Sequence, residues 1–136
     1  MLVEHARNLA GIADASHAEY GVGGHPVITL LACSLLDQTI TVDLTPTSRL
    51  EALYGRRQAV ERTTCSYGLA SDLQHIAGEH GMIVAATDDT GEVRAIERSD
   101  HPFFMGTLYQ PQLSSAPGAA HPVFVGLLRA AAAMTG

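Results

Sequence analysis

The side chains that could carry chemistry are a cysteine in Thr63-Thr64-Cys65-Ser66-Tyr67-Gly68, an acidic pair at Asp88-Asp89, and seven histidines spread along the chain. A thiol acts as a nucleophile only when a neighbouring base or cation activates it. No such partner is visible beside Cys65, which reads as a free, partly buried thiol. His25, His101 and His121 each precede a proline and mark element boundaries. His75 and His80 are five apart, a spacing that does not align them on one helical face as the four-residue spacing of a metal pair does, so no metal is assigned. Asp88-Asp89 is followed by Thr90-Gly91 and reads as turn chemistry. All eight basic residues are arginine, which removes both a Schiff-base amine and the lysine of a phosphate-binding loop. No cofactor is implied.

The chain has 136 residues, 46% of them hydrophobic and 16% charged, an ordinary mixture for one small domain over residues 1–136. The net charge is -6, and the arginines are isolated except for Arg56-Arg57, so there is no basic stripe for nucleic acid. The longest apolar runs, such as Val123 to Leu128, fall short of the roughly 20 residues that span a membrane. The first residues lack the basic segment and apolar core of a secretory signal, and a cytoplasmic location is the expectation. Cys33 and Cys65 are then both free thiols.

These residues must be positioned by a mixture of helices and strands. The apolar spacing of Leu2, Val3, Ala6, Leu9 and Ala10 predicts a helix over 1–11, stopped by Gly11. No capping side chain precedes it, from which the sequence predicts that the helix began further upstream. Residues 14–26 read as a surface connection, Val27 to Leu36 as strand or helix, and Gln38 to Leu44 as a half-buried strand. Arg49 to Tyr54 reads as a short extended or irregular piece closed by Gly55. Ser71 is read as the cap of a helix through about Glu79. Met82 to Thr87 and Glu92 to Arg98 predict a hairpin, and Phe103 to Tyr109 a further strand. His121-Pro122 opens a last helix whose Val123, Phe124, Leu127, Leu128 and Ala131 form one buried stripe. The whole predicts an α/β layer architecture.

The segment His101-Pro102-Phe103-Phe104 through Gln110-Pro111-Gln112, followed by His121-Pro122-Val123-Phe124, is similar to the end of the glutaminase domain of CTP synthases. That family reads His-Pro-Phe-Phe, then Gln-Phe-His-Pro-Glu, then His-Pro-Leu-Phe at its last helix. Glu4-His5-Ala6-Arg7-Asn8 resembles the family's Glu-Phe-Ala-Arg-Asn, and Ala15-Ser16-His17-Ala18-Glu19 its Ala-Asn-Ser-Thr-Glu. His25-Pro26-Val27-Ile28 and Glu61-Arg62 ahead of Tyr67 match as well, so the resemblance covers essentially the whole chain.

The resemblance implies the C-terminal portion of a flavodoxin-like class I, triad-type glutamine amidotransferase domain, lacking its N-terminal strands and nucleophile elbow. In that family a Cys attacks the glutamine amide, a His moves the proton, and a Glu two residues on orients the imidazole. Here the resemblance places Gln110 at the base position and Gln112 at the orienting position. A side-chain amide does not titrate near neutral pH and carries no charge, so neither does the work it replaces. The implied role for both is structural, hydrogen-bonding across the former cleft. Ser66 stands where the family has an arginine that grips the glutamine carboxylate, and one hydroxyl does not replace a two-pronged guanidinium. Cys65, Ser66 and Tyr67 are the residues placed at the substrate pocket, for glutamine or another small amide. Three roles are expected in order: a degenerate, non-catalytic amidotransferase-like chain; part of a longer enzyme whose upstream elbow Cys runs thiol chemistry on an amide or ester; and an interaction subunit, pairing with itself or with the missing N-terminal half.

Overall fold

A computed structural model describes residues 1–21, 23–32 and 34–135. Helix α1 (Leu2–Asn8) is followed by β1 (Ala15–His17), a short 3-10 helix at Ala18–Tyr20, and β2 (His25–Leu30). The stretch predicted as a bare connection therefore contains a strand, because β1 pairs in parallel with β2, Ala15 opposite His25. β3 (Gln38–Leu44) follows as predicted, then α2 (Arg49–Tyr54), β4 (Gln58–Thr63), β5 (Tyr67–Leu69) and a 3-10 helix at Ser71–Gly78. β6 (Met82–Thr87) and β7 (Val93–Arg98) form the predicted antiparallel hairpin, and β8 (Met105–Thr107) and α3 (Pro122–Met134) close the order.

The strands make two sheets, one of order β1-β2-β5 and one of order β4-β3-β6-β7-β8 in which every neighbour is antiparallel. Alternation sets the faces: Val42 and Leu44 of β3, and Ala59, Glu61 and Thr63 of β4, point inward while Val60 is exposed. One apolar cluster joins α1, the small sheet and the 3-10 helix at Ser71–Gly78 through Ala6, Val27, Leu69 and Ile76. A second joins the large sheet to α2 through Val42, Leu50, Ala85 and Tyr109.

Three expectations are corrected. Arg49–Tyr54 is a helix, because Ser48 caps it by accepting from the Glu51 N–H and Gly55 ends it in the left-handed conformation at φ 64°. The buried Glu97 carboxylate also accepts from the Arg49 and Leu50 N–H groups at 2.7 and 3.0 Å, satisfying donors at the helix start. Ser71 is the first residue of its helix rather than the cap; Ala70 holds the cap position without a side-chain bond. The stripe assigned to α3 is buried only in part: Val123 packs against the second cluster, but Leu127 and Leu128 are 45% and 70% exposed, and the helix turns Gly126 inward. A Cβ there would lie 2.6 Å from Leu53 of α2, so glycine lets the two helices meet.

Candidate functional site

The connection between β4 and β5 carries Cys65 and Ser66, and its backbone is tied on several sides. Thr63, fully buried, donates its hydroxyl to the Leu108 carbonyl at 3.0 Å and accepts from the Cys65 N–H at 3.3 Å. The Cys65 thiol donates to the Tyr67 carbonyl at 3.1 Å, so it is held as a thiol hydrogen-bond donor. The Ser66 hydroxyl meets that of Ser34 at 3.2 Å, and its carbonyl accepts from the Leu31 N–H. The second cysteine, Cys33, lies outside the described residues.

Cys65, Ser66 and Tyr67 all border one cavity of about 460 Å³, a size suited to a small molecule. Its apolar wall includes Leu2, Val3, Ile28, Leu69, Ile96 and Leu108, and its polar groups include His17, Glu19, Thr64 and Thr107. The His17 ring lies 5.4 Å from that of Tyr67.

Gln110 and Gln112 are separate from this cavity's lining and from each other's roles. Gln110 N–H donates to the Arg62 carbonyl at 2.9 Å, and its Oε1 accepts from the Thr64 N–H at 2.7 Å. It thus pairs with the open edge of β4 as a neighbouring strand would, by one backbone and one side-chain bond. Gln112 is exposed, and its side chain makes no hydrogen bond among the described residues, so of the two glutamine side chains only that of Gln110 ties another segment.

A buried polar cluster was not anticipated from the sequence. Glu61, 2% exposed, accepts from the Tyr54 hydroxyl at 2.7 Å, from His121 Nε2 at 3.0 Å and from the Ser114 hydroxyl at 3.1 Å. His121 Nδ1 accepts from the Val123 N–H, capping α3, which leaves the ring proton on Nε2 to donate toward Glu61. Tyr109 packs its hydroxyl 3.2 Å from that of Tyr54. Burial first, and the neighbouring phenol and carboxylate second, push the Tyr54 hydroxyl far above its usual range; burial raises Tyr109 in the same direction. These groups are largely closed off from solvent and joined to one another, so they hold α2, β4 and α3 together. The one sequence signal was the alternation that turns Glu61 inward on β4, a burial that demands a partner.

Among the described residues no three His, Cys, Asp or Glu side chains gather as a metal site, and no helix is long and apolar enough to cross a membrane. No family model matches the chain. CTP synthase of Prochlorococcus marinus (strain NATL1A) is 36% identical over 145 residues, covering 96% of this chain, and CTP synthase of Methylocella silvestris is 32% identical over 149 residues. The glutaminase domain of Trypanosoma brucei CTPS, solved with bound acivicin, superposes with a TM-score of 0.84 at 24% identity, over 96% of this chain and 55% of that one.

The chain is similar in sequence to part of CTP synthases and shares the fold of a CTP synthase glutaminase domain. It has the class I glutamine amidotransferase fold, of which it is a partial domain. A putative GMP synthase component from Thermoplasma acidophilum shares the fold at a TM-score of 0.59 and 10% identity, over 79% of this chain and 49% of that one. The chain spans 25% of the Prochlorococcus CTP synthase and 28% of the Methylocella one.

Proposed function

We propose that this chain is an amidotransferase-like protein without glutaminase activity, whose cavity binds a small ligand. The observation that carries the reading is Gln110. At the position aligned by resemblance with the proton-transferring imidazole, its amide oxygen is committed to the Thr64 N–H at 2.7 Å. An amide so engaged neither accepts nor returns a proton. Gln112, aligned with the orienting carboxylate, is uncharged and exposed. Cys65, the thiol that borders the cavity, donates its hydrogen bond to a backbone carbonyl and has no imidazole among its hydrogen-bond partners in the described residues. A cytoplasmic location goes with this reading, as does the inability of this chain alone to aminate a nucleotide.

The test is ammonia release from L-glutamine by the purified chain, followed with a coupled dehydrogenase assay. The expected result is a rate equal to the buffer blank. Turnover that scales with protein concentration and is lost on thiol alkylation would overturn the proposal.

A further inference from the structure

Helix α1 supplies part of the wall of the cavity through Leu2 and Val3. It is held there by few ties: it has seven residues, too few to be stable alone, and only His5 and Ala6 are buried. His5 is 5% exposed, and its Nε2 meets the Ile76 carbonyl at 3.0 Å. A carbonyl only accepts, so the proton sits on Nε2 and leaves Nδ1 a bare acceptor, buried and without a hydrogen-bond partner among the described residues. The site therefore suits a neutral imidazole. A proton on Nδ1 would bury a cation whose new N–H finds no acceptor. In the similar motif Glu-Phe-Ala-Arg-Asn this position is a phenylalanine, which packs without titrating.

The surrounding charges reinforce the preference. The His80 ring lies 6.1 Å away, and the Arg98 guanidinium is fixed nearby by donating to Asp100 at 2.8 Å and to the His80 carbonyl at 3.3 Å. Burial, then the charges of His80 and Arg98, disfavour the charged ring against the opposing pull of the Ile76 bond and Glu79. Glu79 is half exposed beside His80, so solvent weakens its pull. Glu4 and Arg7 of α1 are exposed and pair with each other, and Asp72 and His75 of the 3-10 helix are exposed. On β7, Arg94 is bound to Asp88, and Glu97 to the start of α2. On the small sheet, His17 packs beside Tyr67 and His25 is exposed.

We propose that protonation of His5 releases α1 and opens the cavity whose wall the helix forms. Acid thus loosens one element before the fold as a whole, and the proposal holds whatever ligand the cavity takes. The sign follows from linkage: the released helix takes up the proton near pH 6.5 and the docked helix resists it, so the open fraction rises as pH falls through that value.

Hydrogen exchange of the full chain, corrected for intrinsic rates, tests this at pH 7.5 and 5.5. The amides of residues 5–12 are expected to lose protection several-fold, and at most about tenfold from one proton over that interval, while those of the β6–β7 hairpin keep theirs. In His5→Phe and His5→Gln, each compared with itself at the two pH values, the loss is expected to vanish even if α1 is looser throughout. Opening of the cavity is read from Cys65 labelling in a Cys33→Ser background, as the ratio to the same protein carrying His5→Phe; the ratio is expected to rise between pH 7.5 and 5.5. His17 and the Met1 amine, which also border the cavity, are present in every protein, so their effect is common to all. Unchanged protection of α1, an equal loss in the hairpin, a loss retained in both variants, or a flat labelling ratio overturns the proposal.

Discussion

At the residue scale, Gln110 holds the edge of β4 by two bonds of different kinds. Its backbone N–H and its side-chain oxygen engage Arg62 and Thr64 along the same edge, so they occupy bonding positions that a further strand would fill. Gln110→Ala removes the acceptor of the Thr64 N–H and is expected to lower unfolding free energy by about 1 kcal/mol, a typical hydrogen bond. Because the lost bond fixes the connection carrying Cys65, the thiol in Gln110→Ala is also expected to react faster with a disulfide probe. Urea denaturation and a thiol-labelling time course check both. An unchanged stability and labelling rate would show that the side chain is incidental to the edge. Gln112→Ala, at an exposed position, serves as the control and is expected to change neither.

At the element scale, the contact between α3 and α2 depends on an absent side chain. A Cβ on Gly126 would sit within 2.8 Å of both Leu53 methyl carbons and 3.1 Å from the Phe103 ring. Gly126→Val adds three carbons to that contact and is expected to cost about 1–3 kcal/mol through overpacking. The loss appears as a lowered thermal midpoint, while Leu128→Ala, on the exposed side, is expected to leave the midpoint near its original value. The helix pattern in the sequence predicted α3 correctly but assigned its buried face to Leu127 and Leu128, since the largest apolar residues ordinarily face the core. Gly126 reverses that by allowing backbone approach, which hydrophobic periodicity does not register. The same limit applies at α2, where Ser48 and Gly55 supplied the capping signals but the six helical residues are too few to show a period. β3 and the β6–β7 hairpin were legible because alternation and the Asp88-Asp89-Thr90-Gly91 turn are local. β4 and β5 were not: the inward face of β4 carries Ala59, Glu61 and Thr63 in place of large apolar residues, and β5 is only three residues long. Cys65, Ser66 and Tyr67, singled out by motif resemblance, border one cavity, whereas the Tyr54–Glu61–Tyr109–His121 cluster spans residues far apart in the chain and needed the fold to assemble it.

At the scale of the whole molecule, two buried ionisable groups make stability depend on pH, and they act in different windows. His5 of α1 reaches the Ile76 carbonyl at 3.0 Å and so ties α1 to the 3-10 helix at Ser71–Gly78. Burial lowers its pKa from 6.5; the bond to Ile76 opposes this, and the charges of His80 and Arg98 add to the lowering. Below pH 6.5 the unfolded chain therefore binds a proton that the folded chain resists, and stability falls as pH falls. Asp88 at the β6–β7 turn has the same sign but a more acidic window. Burial alone would raise it, yet hydrogen bonds from Thr90 and Arg94 more than offset burial and hold it below 3.8. Its contribution is present above that value and lost on further acidification. Unfolding free energy is thus expected to be level near pH 7–8, to decline below about 6.5 with a slope of at most ~1.4 kcal/mol per pH unit from one proton, and to decline again below about 3.8. His5→Gln keeps a donor for Ile76 and removes the first titration. Urea denaturation of both proteins at a series of pH values is expected to show a shallower decline between pH 6.5 and 5 in the variant, with the fall below 3.8 retained. If the two curves run parallel across the upper window, the coupling of α1 to the fold does not pass through the charge of His5.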